Sequence, residues 1–192
     1  MSGRYAVSDF LFNKDTHSYT FNSVRVPSVT QILQAEGFTH PYRGNSAAGK
    51  GTRVHAATTA FDKMERQTFL PEAEQGYLMA YLKWMHETEI DARYAFIEKP
   101  FYNEELHFAG TPDRITKEGL IIDIKTGLKE PAHALQLAGY ALLIGADFVP
   151  MMALYLHSDG TYEEIFVTDR EALPIFENAV RNYHWKKRNG IK

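Results

Sequence analysis

Leu120-Ile121-Ile122-Asp123-Ile124-Lys125 is the stretch whose reading decides the fold. Its four aliphatic residues are what a strand buried on both faces requires. Asp123 and Lys125 nevertheless sit within it, and a side-chain period of two puts both on one face, with Ile122 and Ile124 on the other. A buried carboxylate without compensation costs several kcal/mol, so Asp123 needs a partner. An Asp–Lys ion pair at a sheet end is one answer, and a functional site is the other. Upstream, Gly110-Thr111-Pro112-Asp113 closes a preceding strand, where proline interrupts the ladder and aims the next side chain. Thr116-Lys117-Glu118-Gly119 has the length of an antiparallel hairpin turn, which would put Asp113 and Asp123 on neighbouring strands. Two carboxylates about 4 Å apart repel by up to roughly 4 kcal/mol at an effective dielectric near 20. A hard divalent cation relieves that repulsion, and Lys125 beside it is suited to stabilising charge on a phosphoryl group.

Outward from this hairpin the chain reads as mixed strands and helices. From Tyr5 to Val26, aromatic and β-branched residues flank Asn13-Lys14-Asp15 as an N-terminal β-hairpin. Ser28-Val29-Thr30-Gln31, after Pro27, has capping-box spacing and opens a short helix. Helices are predicted from about Ser46 to Arg66 and from Pro71 to about Glu89, the second on the spacing of Tyr77, Leu78, Tyr81, Leu82 and Met85. Strands are predicted over 92–101, 106–115 and 120–125, then a helix over 131–144. Strands over 148–157 and 162–167 follow, with a final helix over about 169–189. This order predicts an α/β (α+β) fold, a mixed central β-sheet flanked by helices. Turn-sized gaps predict one domain, with a hairpin at 1–26, a core at 27–167 and a basic helix at 168–192.

Composition removes several classes of chemistry. The 192 residues contain no cysteine, which excludes thiolate catalysis, disulfides, cysteine-bound zinc and an Fe–S cluster. With 21 Lys+Arg against 24 Asp+Glu the formal net charge is −3, so a polyanion must be held by a local basic patch or through metal ions. No apolar run approaches the ~20 residues of a membrane span. Met1-Ser2-Gly3-Arg4 lacks an apolar signal core, so a cytoplasmic protein is expected. Gly44 to Gly51 nearly spells a phosphate-binding loop, but Gly51 replaces the hydroxyl residue that would bind Mg²⁺ and no apolar strand precedes it.

Five segments, in order, resemble the PD-(D/E)xK nuclease superfamily, and specifically its RecB-like exonuclease branch. Gly110-Thr111-Pro112-Asp113 with Asp123-Ile124-Lys125 resembles the D…DxK core. Gly51-Thr52-Arg53-Val54-His55 is similar to the GxxxH helix motif, and Gln136-Leu137-Ala138-Gly139-Tyr140 to QxxxY. Pro27-Ser28-Val29-Thr30-Gln31-Ile32-Leu33 resembles the N-terminal stretch of related phage nucleases. The resemblance implies a restriction-endonuclease-like core and a Mg²⁺- or Mn²⁺-dependent DNA exonuclease favouring single-stranded DNA or single-stranded ends. It leaves room for a replication or recombination protein as partner.

Residue by residue, the resemblance implies one or two ions held by His55, Asp113, Asp123 and the Ile124 carbonyl, with Lys125 as the catalytic lysine beside Asp113 and Asp123. Glu98 is a candidate further carboxylate, or a solvated strand residue. Gln136 and Tyr140 would lie near the substrate, although Tyr140 also suits a core. His55 stands in an apolar helix, where a packed histidine is the alternative. Ser28 is either a phosphate contact or simply a helix cap. Arg43, Lys50 and Arg53 gather cations before His55 for DNA. The run Arg181, Lys186, Lys187, Arg188 and Lys192, interleaved with Tyr183 and Trp185, suits either a single-strand surface or a helix end complementing its dipole. Two other readings stay open: an endonuclease of the same superfamily, and a catalytically silent binding module.

Overall fold

The computed structural model describes residues 9–39, 45–66, 69–90, 94–145 and 149–191, with side chains undescribed at 45–48. Three strands, β1 (Phe10–Asn13), β2 (Ser18–Phe21) and β3 (Val24–Val26), form an antiparallel sheet. The expected hairpin is therefore present and extended by a third strand. Helix α1 (Val29–Ala35) follows, and its capping box is complete: Gln31 N–H donates to Ser28 Oγ at 3.1 Å and Ser28 N–H to Gln31 Oε1 at 3.0 Å. Helices α2 (Asn45–Asp62) and α3 (Glu72–Glu87) come next.

Where two long strands were expected, four short ones stand: β4 (Tyr94–Ile97), β5 (Phe101–Asn103), β6 (Phe108–Gly110) and β7 (Arg114–Thr116). The first break falls at Glu98, whose φ of 47° is left-handed backbone that a side chain disfavours. The second falls at Thr111-Pro112-Asp113, because proline has no amide hydrogen to continue a ladder. β5 and β6 consequently leave the main sheet and pair with each other. The chain then runs through β8 (Ile121–Lys125), α4 (Ala132–Leu143), β9 (Met151–Leu156), β10 (Tyr162–Phe166) and α5 (Ala172–Arg188).

The main sheet has the order β10-β9-β8-β7-β4. It is mixed: β8 and β9 are parallel, joined through α4, and the other pairs are antiparallel. Alternation on the two central strands divides the core. Ile121, Met151, Ala153 and Tyr155 pack on α1, α4 and α5, whereas Ile122, Ile124, Met152, Leu154 and Leu156 pack on α2 and α3. Helices thus cover both faces, which permits an aliphatic strand such as β8. The same alternation sends Asp123 and Lys125 toward α4.

Candidate active site

The break before β7 places Asp113 beside the end of β8. Pairing of β7 with β8 covers Arg114↔Ile122 and Ile115↔Ile121. Beyond it, the Ile124 N–H donates to Asp113 Oδ2 at 2.6 Å. Asp113 is thus one residue ahead of a strand, rather than on it as expected, and its side chain takes the position of a ladder acceptor. Its Oδ1 lies 3.2 Å from His55 Nδ1 on α2. Glu98, at the kink between β4 and β5, completes a cluster: one ligand atom from each of His55, Glu98 and Asp113 lies within 4.8 Å of the others. An imidazole and two carboxylates suit a divalent cation of the Mg²⁺ or Mn²⁺ kind. The backbone ties the cluster together, since Glu98 N–H donates to the Asp113 carbonyl at 2.9 Å.

Electrostatics point the same way. Burial alone would push the Asp113 carboxyl up, but His55 overrides it and holds the group down at about 2. Burial alone would lower the His55 imidazolium, but Asp113 and then Asp123 outweigh it and hold His55 above the usual histidine range. The proton on His55 supplies positive charge that a divalent ion would supply more strongly.

Asp123 stands beside this cluster rather than within it. It is 2% exposed, and its Oδ2 forms an ion pair with Lys125 Nζ at 2.5 Å. Burial raises the Asp123 carboxyl, Lys125 opposes that, and the Asp113 charge adds to it. Lys125 also donates to Gln136 Oε1 at 2.8 Å, and Gln136 Nε2 donates to the Tyr140 hydroxyl at 2.8 Å. Gln136 and Tyr140, four apart on α4, therefore brace the lysine. Tyr140 is 6% exposed.

The cations expected to hold DNA are variously placed. Lys50 donates to the Tyr77 hydroxyl at 2.9 Å and to the Thr126 carbonyl at 3.2 Å. Arg53 forms a two-point ion pair with Glu74. Ser28 is buried as the α1 cap, and Arg43 lies outside the described residues. In the C-terminal run, Arg181 pairs with Glu177 and Lys186 with Glu36.

Several residues at the site were not singled out from sequence. Tyr19 of β2 is 1% exposed and its hydroxyl lies 2.8 Å from Thr111 Oγ1, tying the N-terminal sheet to the break that carries Asp113. Arg114 and Asp62 form a buried ion pair at 2.6 Å, each side chain 1% exposed. The signal was available: Asp62 follows His55 by seven residues on one helix, a two-turn repeat, and Arg114 interrupts an otherwise buried strand.

Comparison with known proteins gives the family. The sequence model of the PD-(D/E)XK nuclease superfamily matches residues 31–187. The chain belongs to the PD-(D/E)XK nuclease superfamily. Among solved structures, it is similar to an inferred exonuclease from Eubacterium rectale, with a TM-score of 0.56 at 11% identity over 84% of this chain and 74% of the other. It is also similar to an alkaline exonuclease from Laribacter hongkongensis, with a TM-score of 0.47 at 13% identity over 85% and 88%. No curated protein sequence matches it significantly. Among the described residues no helix is long and apolar enough to cross a membrane. The PD-(D/E)XK chain thus carries its superfamily's fold with a candidate metal triad on it.

Proposed function

We propose that this PD-(D/E)XK chain is a Mg²⁺- or Mn²⁺-dependent deoxyribonuclease of the RecB-like branch. It acts as an exonuclease in the cytoplasm on single-stranded DNA or DNA with single-stranded ends. The observation that carries the reading is the convergence of His55, Glu98 and Asp113 within 4.8 Å, with Lys125 and Asp123 alongside. The donor set of one imidazole and two carboxylates fits a hard divalent ion. His55, Glu98 and Asp113 would hold that ion, and Asp123 and the Ile124 carbonyl would complete its shell. A bound ion supplies Lewis acidity, polarising the scissile phosphate and neutralising the leaving oxygen.

The chain's own groups do the rest. Asp113, fixed by Ile124 N–H and His55, keeps one geometry while the substrate arrives. Lys125, braced by Gln136, donates to a phosphate oxygen or orients the attacking water as charge develops. The exonuclease reading draws on the GxxxH and QxxxY motifs and on the name of the Eubacterium rectale fold relative.

Digestion of end-labelled linear single strands, duplexes and circular single strands, each with Mg²⁺, Mn²⁺ or chelator, tests it. Release of mononucleotides or short oligonucleotides from linear DNA alone, and only with metal, is expected. Cutting of circles would move the activity to an endonuclease. No metal-dependent cutting of any DNA would leave a silent binding module.

A further inference from the structure

One buried side chain reaches all three members of the metal cluster. Arg114 is 1% exposed, and its planar fork is occupied at each nitrogen. Nε donates to Asp62 Oδ2 at 2.6 Å and Nη1 to the Asp113 carbonyl at 2.8 Å. Nη2 donates to Thr58 Oγ1 at 3.3 Å and to Thr59 Oγ1 at 3.2 Å. A guanidinium only donates, so each threonine hydroxyl accepts from it and must spend its single hydrogen elsewhere. Thr59 gives it to Glu98 Oε1 at 2.8 Å. Thr58 gives it to the His55 carbonyl at 3.0 Å. Arg114 therefore touches the Asp113 backbone carbonyl directly, the Glu98 carboxylate through one hydroxyl and the His55 backbone carbonyl through another.

The polarity of these bonds has a direction. The guanidinium occupies the acceptor side of both hydroxyls, so the Thr59 hydrogen is directed at Glu98 Oε1 and holds that carboxylate at a set angle. Glu98 also sits on left-handed backbone at φ 47°, a conformation that persists only where its surroundings impose it. Asp62, in turn, is held by the Tyr81 hydroxyl at 2.8 Å, and Tyr81 meets Tyr94 at 2.9 Å. The arginine is thus anchored from behind, on the side away from the cluster.

We propose that Arg114 is a positioning residue for the metal site, acting on Glu98 through Thr59 and on His55 through Thr58. The proposal rests on the reading of His55, Glu98 and Asp113 as ion ligands. Outer partners of this kind typically change metal affinity by about 10–100-fold.

Calorimetric titration with Mn²⁺ alone, without DNA, tests it. Thr59→Val keeps shape and removes the hydroxyl, and Thr59→Ser restores it. About tenfold or greater weakening is expected in Thr59→Val, with recovery in Thr59→Ser to within about twofold of the native chain. Thermal unfolding in chelator should be alike for all three, separating positioning from folding. Arg114→Lys, which keeps the charge beside Asp62 but loses the fork, should weaken Mn²⁺ binding at least as much. Should that variant fail to fold, the Thr59 pair still decides the matter. Mn²⁺ affinity in Thr59→Val within about twofold of a native chain that binds Mn²⁺ would overturn the proposal and leave the metal reading standing. Failure of the native chain to bind Mn²⁺ would overturn both.

Discussion

The Lys125 ammonium is held between Asp123 Oδ2 and Gln136 Oε1. On the proposed function, removing it takes away the charge that meets the developing phosphoryl negative charge. Lys125→Ala should therefore abolish cleavage of an end-labelled oligonucleotide. Folding and DNA binding, read by circular dichroism and fluorescence anisotropy, should be largely intact. Gln136→Ala leaves the lysine in place but unbraced, and a displaced catalytic group costs about 10²-fold when it moves by about 1 Å. A fall of roughly ten- to a hundredfold in kcat, with little change in KM, is expected from steady-state kinetics.

His55 gives a pH dependence of definite sign. Its proton affinity is raised in the metal-free protein, by carboxylates that outweigh burial. The stabilisation it contributes is fully present below its unfolded value and is lost as pH rises through the raised folded value. An ion bound to the imidazole requires the neutral form, so protons compete with metal. Mn²⁺ affinity should rise as pH climbs through the raised His55 range, with proton release on binding. Calorimetry in buffers of differing ionisation enthalpy reads this. Affinity independent of pH would remove His55 from the ligand set.

Elements meet at two glycines whose roles are steric. A Cβ at Gly76 of α3 would stand 1.7 Å from the Ser158 carbonyl oxygen, which is backbone and cannot rotate away. A Cβ at Gly139 of α4 would stand 2.8 Å from the Phe176 ring of α5 and 2.9 Å from a Val29 methyl of α1. Helix propensity alone would make either Gly→Ala change stabilising by about 1 kcal/mol. Overpacking costs typically about 1–3 kcal/mol, occasionally more, and should reverse the sign at both sites. Chemical denaturation should find Gly76→Ala the more damaging, because side chains around Gly139 can shift. At this scale much of the fold was legible. The β7–β8 hairpin, the helices and the capping box follow from periodicity and turn chemistry. Pro112 reads as interrupting a ladder, yet the strand was expected to run on through it to residue 115, and the break at Glu98, with Pro100 two residues on, was not separated from the strand over 92–101. The Arg114–Asp62 pair and its two threonines were missed for another reason. Their meaning lies in a contact between α2 and β7, elements about fifty residues apart in the chain.

At the scale of the whole molecule, the charge balance constrains how DNA is held. The chain is formally −3, and Arg53, Arg181 and Lys186 are each already paired with a carboxylate. On the proposed function, an ion joining His55, Glu98 and Asp113 would add attraction for a phosphodiester backbone at that point. The sequence motifs put forward His55, Glu98, Asp113, Asp123 and Lys125 as candidates, because carboxylates beside an aliphatic strand are expensive enough to stand out. They did not say which carboxylates would converge: Glu98 joins Asp113 and His55, while Asp123 turns to Lys125. The proposed ion site is tested by an anomalous difference map at the manganese edge, from crystals grown with Mn²⁺ and a short single-stranded oligonucleotide. A peak is expected within about 2.5 Å of ligand atoms of His55, Glu98 and Asp113, with a phosphate oxygen completing its shell. A peak elsewhere, or none at a Mn²⁺ concentration that supports cleavage, would contradict it.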